Sequence, residues 1–440
     1  MNYRSRYEEF LERSMRTTSC MDPQAPHLAV GYTSDLDVVL TWEQSIVDAL
    51  IARHLHGIPA FEESQTIDSL EDLAGVLAYY VIHGLGGEME ISSPEICDWL
   101  VSHFESAKAL GGTGAQCGAA LGTVGYPAVI HISDKCRQVC EFLDYPSITA
   151  VKNGRLVSVP SIAGNDMPVY HFICQYSKGT TVTVDGKTYV APESNRLILE
   201  FDTIHKHFRA DAEYYTYLEE HAKEIRALSI SGFNSIVDPK IAQDELKPLI
   251  THFQRLKTAN PDMTIYLESA HYLSGKVRET VFELLGPSID ILGMNEEEVL
   301  AHTALEGMCT DKSDFDSIVR GLQFILNLYG TRGIILHTKD YSAYYGAEFP
   351  VDIELGLTAG NLLSGTRARV GHYGNLEECQ ESLQYGFSET GLEFYSKVEA
   401  WRQTHPEKQL IVVPSRYLEQ PKCTIGLGDT FVAGVLTCFA

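Results

Sequence analysis

The stretch Thr424-Ile425-Gly426-Leu427-Gly428-Asp429-Thr430, continued by Phe431-Val432-Ala433-Gly434, sets two close glycines and an aspartate at the head of a run of small and apolar residues. Such a run predicts a helix whose first turn carries unpaired N–H groups at the positive end of its dipole. Glycines there let a phosphate approach the backbone, while the aspartate can accept a hydroxyl proton. One segment would then supply both an anion hole and a base, as phosphoryl transfer requires. An ordinary strand-to-helix turn capped by Asp has the same short pattern, so the rest of the chain must decide.

A second constellation lies upstream in Gly293-Met294-Asn295-Glu296-Glu297-Glu298-Val299. Asn295 and Glu298 are three apart at a strand-to-helix transition, so their side chains can share a face and offer oxygens to a hard cation, directly or through water. Glu296 and Glu297 suit a solvated helix start, and Asn followed by glutamates is also routine capping chemistry.

The elements that must position these groups belong to a chain of 440 residues, long enough for two or three units or for one large α/β core with an appendage. A net charge of −25 repels nucleic acid and anionic membranes, and no segment has the ~18 uninterrupted apolar residues of a membrane span. A phosphate-bearing substrate would need a local cationic or N–H-lined pocket against that field. The opening residues lack the apolar run of a signal peptide and read as an amphipathic helix. Ten cysteines with no CxxC pair are most simply those of a reduced cytoplasmic protein, and the sixteen histidines show no zinc-ligand spacing.

Apolar runs at Leu28–Tyr32, Ala128–Ile132, Ala227–Ile230, Thr264–Leu267, Ile289–Leu292, Gly333–His337 and Leu410–Val413 alternate with helical stretches such as Gln243–Thr258, Ser274–Leu285 and Ser313–Tyr329. That alternation predicts a mostly parallel sheet covered by helices. Tyr170–Tyr176, Thr180–Val184 and Lys187–Val190, the last two joined by Asp185-Gly186, read instead as antiparallel hairpins with a type I′ turn. A β-rich lid inserted into an α/β core accounts for both textures. The expected divisions are an N-terminal helix and first strand (1–32), a first lid segment (33–112), core (113–150), a second lid segment (151–202) and the main core (203–440).

Taken together, these blocks resemble the ADP-dependent glucokinase and phosphofructokinase group of the ribokinase-like kinases, from about residue 28 to the end. The resemblance implies a ribokinase-like αβα sandwich with a β-rich lid. Thr424–Thr430 is similar to that group's TVGxGDT motif, which makes Asp429 the catalytic base and the Gly426–Asp429 backbone, Gly428 included, the anion hole. Asn295 and Glu298 match its NxxE motif, which implies Mg2+ binding. Tyr266-Leu267-Glu268 stands in place of an HxE segment, with Glu268 a metal-network carboxylate and Tyr266 where histidine is usual. Ser229–Asn234 resembles a strand end of the group and Gly333–Thr338 its VHT strand end. By resemblance His337, Leu427, Gly428, Val413 and Pro414 face the nucleotide.

On the sugar side the resemblance assigns Asp37 and Glu90, with Glu88 a register alternative, to sugar hydroxyls. It assigns Gly111 and Gly112 to a close backbone approach and Arg196, in Asn195-Arg196-Leu197-Ile198, to a phosphate or a structural ion pair. The implied activity is Mg2+-dependent phosphoryl transfer from ADP to a hexose or hexose phosphate. An ATP-using ribokinase-type kinase and a sugar-binding regulator without turnover are the alternatives; the order of the blocks favours ADP. Lys152, Arg155, Lys178 and Arg196 near the hairpins incline the acceptor toward fructose 6-phosphate.

Overall fold

The computed structural model describes residues 3–57, 66–208, 211–305 and 307–440. The chain forms two compact units, one of Met1–Ser34, Gly112–Gly164 and His205–Ala440, the other of Asp35–Gly111 and Asn165–Ile204. It therefore passes between them at Ser34–Asp35, Gly111–Gly112, Gly164–Asn165 and Ile204–His205.

Numbered along the chain, the first strands are β1 (Leu28–Val30), β2 (Asp35–Leu40), β3 (Gly87–Glu90), β4 (Ser106–Gly111), β5 (Ala128–Ile130), β6 (Ile148–Lys152), β7 (Arg155–Ser158) and β8 (Tyr170–Tyr176). Then come β9 (Thr181–Val184), β10 (Lys187–Val190), β11 (Asn195–Phe201), β12 (Ala227–Ile230), β13 (Thr264–Glu268), β14 (Ile291–Asn295), β15 (Gly333–His337), β16 (Tyr341–Gly346) and β17 (Gln409–Pro414).

The larger unit is built on a 10-stranded sheet in the order β17-β16-β15-β14-β13-β12-β1-β5-β6-β7. Neighbours are parallel from β15 through to β6, while β7 and β16 pair antiparallel. β12 and β13 are buried at every position, the unbroken apolar pattern of strands covered on both faces. From β1 the chain turns first to β5 on one side and later to β12 on the other. Right-handed crossovers in opposite directions lay helices on opposite faces and open a crevice at the carboxyl ends of the strands.

Local signals set the helix ends. Helix Phe315–Tyr329 starts where Asp314 accepts from the Ser317 N–H and stops at Gly330, whose φ is 69°. Its buried Phe315, Ile318, Val319, Leu322, Ile325 and Leu326 keep helical spacing, each such side chain contributing about 1.5–3 kcal/mol on burial. The N-terminal amphipathic helix spans Tyr3–Thr17, with Met1 and Asn2 outside the described residues, and buries Tyr7, Phe10 and Leu11. The last helix, Leu427–Leu436, packs closely on Ile353–Val370 because Gly434 faces Gly360 there.

The smaller unit holds a five-stranded sheet, β3-β11-β8-β2-β4, and the β9–β10 hairpin. Asp185 and Gly186 have φ of 49° and 78°, as the type I′ turn demands. β8 does not join that hairpin; it pairs antiparallel with β11 and parallel with β2, where Phe172 lies beside Leu199 and Val38. The second β-rich segment starts later than expected, because residues 151–164 carry β7, whose register with β6 makes it an edge of the large sheet. Among the described residues no helix is long and apolar enough to cross a membrane.

The Gly434–Gly360 crossing predicts a contrast. A Cβ at Gly434 would run into the Gly360 backbone, so Gly434→Ala should lower stability to urea by about 1–3 kcal/mol. Gly365→Ala in the same helix pair meets open space and should leave stability equal or raise it by about 0.5 kcal/mol.

Candidate active site

β13, β14 and β15 end side by side and present Glu268, Asn295 and His337; Asn295 lies opposite His337 and Glu268 opposite Gly293. Glu268 is gripped at both oxygens, with His337 Nε2 2.8 Å from Oε1 and the Tyr266 hydroxyl donating to Oε2 at 2.9 Å. Tyr266 thus keeps a donor on the carboxylate at the position where the resemblance leads to histidine. A side chain at Gly293 would occupy the space of both groups. Burial would depress His337, but Glu268 outweighs it and holds the imidazole raised.

Asn295 and Glu298 form a reciprocal cap on helix Glu296–Leu305. The Asn295 N–H donates to Glu298 Oε2 at 3.0 Å and the Glu298 N–H to Asn295 Oδ1 at 2.9 Å. Capping is therefore real here, yet Glu298 is also half-buried, and desolvation followed by repulsion from Glu268 pushes its carboxyl up to about 7. Glu296 and Glu297 turn toward the exposed Lys312 at 3.4 and 3.2 Å and serve as surface charges.

Gly426 opens the last helix at φ 65°, and a Cβ there would run into Gln116 Oε1 and Arg367. The first intrahelical bond joins Thr430 N–H to Gly426 O at 3.1 Å, so the preceding amides of Leu427, Gly428 and Asp429 form the anion-receptive turn. A Cβ at Gly428 would stand 3.2 Å from His337 Cε1 and 4.0 Å from Glu268 Oε1, which places this turn against the Glu268–His337 pair. Asp429 is pushed up to about 6 by burial and then by Glu268, with Arg367, Thr113 and His337 pulling the other way.

Arg367 is the member of this cluster that sequence reasoning missed. Its Nη1 donates to Gly426 O and to Thr430 Oγ1, both at 2.9 Å, and its Nη2 to Gln116 Oε1 at 2.8 Å. The guanidinium also lies 4.2 Å from the Tyr373 ring centroid. Its sequence signal was one of two arginines, Arg367 and Arg369, in the last turn of a helix, the one flanked by the buried Thr366 and Ala368. Val413 and Pro414 stand at the end of β17, buried, with their carbonyls accepting from Asn361 at 3.0 Å and Tyr7 at 2.7 Å.

In the smaller unit strand register gathers a second set. Glu90, Glu200, His171 and Asp37 follow one another across β3, β11, β8 and β2. Met89, Leu199, Phe172 and Val38 make the adjoining row and point to the opposite, apolar face. Glu88 stands two rows away beside Ile198, exposed, so Glu90 is in register with Asp37. Asp35 joins the row at 3.3 Å from His171 Nδ1, and Gly111 leaves room for the Asp35 and Asp37 carboxylates. Gly112, at φ 83°, belongs to the larger unit. Burial would depress His171, but Asp35, Glu200, Asp37 and Asp202 overcome it and hold it up to about 9. Glu200 is pushed up to about 7, chiefly by burial.

The four cations expected to cluster fall two in each unit. Lys152 and Arg155 lie on the β6–β7 edge of the larger unit, and Lys178 pairs with Glu193 at 3.1 Å. Arg196 is exposed on β11, four residues from Glu200, roughly 13 Å along the strand. Lys178 itself sits in the turn between β8 and β9.

Residues 26–438 match the ADP-specific Phosphofructokinase/Glucokinase conserved region. The chain belongs to this family. An ADP-dependent glucose/glucosamine kinase of Pyrococcus abyssi is 24% identical over 449 residues, covering 97% of this chain and 96% of the relative. An ADP-specific phosphofructokinase of Methanosarcina acetivorans is 22% identical over 469 residues, covering 94% and 92%. The fold is shared with a solved last common ancestor of ADP-dependent phosphofructokinases from Methanosarcinales, at TM-score 0.82 and 20% identity over 100% of this chain and 99% of that one. It is shared too with an ADP-dependent kinase complex with fructose-6-phosphate and ADPbetaS, at TM-score 0.76 and 20% identity over 100% and 98%. The enzyme is thus a sugar-kinase-type phosphotransferase with the α/β architecture expected from its sequence.

The raised His171 implies a pH signature. An imidazolium favoured in the folded state stabilises fully below its unfolded value of about 6.5, and that stabilisation is lost as pH rises through about 9. Unfolding measured between pH 6.5 and 9.5 should lose about 1–3 kcal/mol in the parent and much less in His171→Gln. Equal slopes in the two proteins would contradict the assignment.

Proposed function

We propose that this enzyme transfers the terminal phosphoryl group of ADP to a hydroxyl of a hexose or hexose phosphate, releasing AMP. The observation that carries the reading is the half-buried Asp429 carboxyl at the anion-receptive turn of Leu427 and Gly428, beside Glu268 and His337. With its carboxyl near 6, Asp429 is mostly ionised at neutral pH and takes the hydroxyl proton as the acceptor oxygen bonds to phosphorus and the bridging P–O bond breaks. The amides of Gly426–Asp429 meet charge developing on the transferred oxygens, and Arg367 holds that turn through the Gly426 carbonyl.

His337, Leu427 and Gly428 face the nucleotide; Val413 and Pro414, buried and with their carbonyls engaged, are left without a direct contact to it. Asp37 and Glu90 accept hydroxyls of the sugar, joined by His171 and Glu200 in the same row. Gly111 and Gly112 allow the backbone to approach, and Arg196 is kept for a peripheral phosphate. Relatives named for glucose/glucosamine and for fructose phosphorylation both support this acceptor class. The phosphofructokinase relative and the neighbour solved with fructose-6-phosphate and ADPbetaS support the lean toward fructose 6-phosphate made from the sequence.

Mg2+ fits the donor set of Glu268, Asn295 and Glu298. The half-buried Glu298, repelled by the buried Glu268, is a natural neighbour of a hard dication, and the mutual cap occupies one oxygen each of Asn295 and Glu298, which favours contact through water. When bound, the ion would neutralise phosphate charge. Unpaired cysteines throughout fit work in the cytoplasm.

In a coupled assay with ADP, Asp429→Asn should lower kcat by ~10²–10⁴ with ADP affinity little changed, because the base acts on the acceptor. The parent's kcat/KM should fall as pH drops through about 6, where Asp429 becomes protonated. Near-normal turnover in Asp429→Asn would remove it from the mechanism.

A further inference from the structure

Tyr266 and Glu268 lie two apart on β13, so their side chains leave the strand on one face, while Leu267 between them enters the core on the other. Both are buried, Tyr266 completely. The phenol donates to Glu268 Oε2 at 2.9 Å, and this contact lies over Gly293 of β14, where a Cβ would stand 2.0 Å from the Tyr266 hydroxyl and 2.1 Å from Glu268 Oε2. On the other oxygen, His337 Nε2 stands 2.8 Å from Oε1, and the imidazole is backed by the Phe431 ring with centroids 4.9 Å apart. That ring nitrogen is therefore already engaged by Glu268.

What a cation meets here is oxygen. Glu268, Glu298 and Asn295 offer carboxylate and amide oxygens, and the phenol adds a hydroxyl but no nitrogen. Among the described residues, Glu268, Glu298 and His337 do not make a group whose ligand atoms all fall within 4.8 Å of one another, so water and phosphate oxygens must complete a shell. Mg2+ takes oxygen and keeps its waters, whereas Ni2+, Co2+ and Zn2+ gain most from imidazole. The histidine that the family resemblance leads one to expect at position 266 would put a second imidazole on the Oε2 side of Glu268, with His337 on the Oε1 side. Two imidazoles and a carboxylate are a set that nitrogen-seeking metals favour.

We infer that Tyr266 determines which cation this enzyme takes. Its neutral phenol fills the Oε2 side of Glu268 with a hydrogen-bond donor, which leaves an oxygen-only site for hard dications and denies nitrogen-seeking ions a second imidazole. Tyr266 acts through Glu268 and is a positioning residue for the cation. The inference rests on the reading of Glu268, Asn295 and Glu298 as the Mg2+ donor set.

Metal-stripped parent, Tyr266→His and Tyr266→Phe, all without nucleotide or sugar, test this. Ni2+ binding by calorimetry should tighten about 10–100-fold in Tyr266→His, the scale on which groups beside a metal ligand act. Mn2+ binding by electron paramagnetic resonance should stay within about threefold of the parent, since manganese gains little from imidazole. Tyr266→Phe should gain nothing for Ni2+, and adding Glu268→Gln to Tyr266→His should abolish the gain, which separates this site from surface histidines. In the parent, the Ni2+ binding that Glu268→Gln removes should be within about tenfold of the Mn2+ binding removed by the same change, as oxygen donors alone imply. That comparison decides the matter if the histidine variant does not fold. A parent that prefers Ni2+ by more, an unchanged Ni2+ affinity in Tyr266→His, an equal gain in Tyr266→Phe, or a gain that survives Glu268→Gln would overturn the inference. Absence of transfer from ADP would remove the phosphoryl-transfer reading alone, because none of these titrations contains ADP or a hexose.

Discussion

Three carboxyl groups, those of the buried Glu268 and the half-buried Glu298 and Asp429, are partly desolvated around the carboxyl edge of the large sheet and the first turn of the last helix. Desolvation and mutual repulsion raise Glu298 and Asp429, and this cost sets the surroundings. His337 and Tyr266 hydrogen-bond Glu268, Arg367 counters the field at Asp429, and the helix dipole favours a carboxylate in its first turn. Small residues follow from the same crowding: Gly293 clears space for Tyr266 and Glu268, Gly426 for Gln116 and Arg367, and Gly428 brings the backbone to His337. A site of this kind is poised for cations and phosphates, because each would relieve repulsion that the protein leaves in place.

The smaller unit meets a similar problem with a sheet. Alternation along β2, β3, β8 and β11 sends Val38, Met89, Phe172 and Leu199 to one face and leaves Asp37, Glu90, His171 and Glu200 on the other. One imidazolium among several carboxylates partly neutralises the row while leaving acceptors for a hydroxyl-rich ligand.

Features set by neighbouring residues were legible in the sequence. The glycines and aspartate at Gly426–Asp429, the unbroken apolar strands and the Asp185-Gly186 turn each carry their own conformational requirement within a few positions. Features that depend on distant partners were not. Arg367 becomes part of the site only because Gln116, 251 positions away, meets its guanidinium, and His171 and Glu200 become site residues only through strand register. Hairpin texture alone also misassigned residues 151–164, since nothing local distinguishes an edge strand of one sheet from a strand of another. The four cations near those hairpins were neighbours in sequence, yet the fold divides them two and two between its units. At Asn295 and Glu298 the sequence offered capping or cation binding, and the fold keeps the cap while burying the carboxylate that a cation would use.

The claim that this buried cluster performs phosphoryl transfer from a diphosphate donor is tested most directly by phosphorus NMR of the parent enzyme with Mg2+ and a panel of hexoses and hexose phosphates, supplied with ADP or with ATP. The account predicts loss of the ADP signals with matched growth of AMP and a sugar phosphate, and little turnover with ATP. Transfer from ATP alone, or no sugar phosphate from either nucleotide, would contradict it.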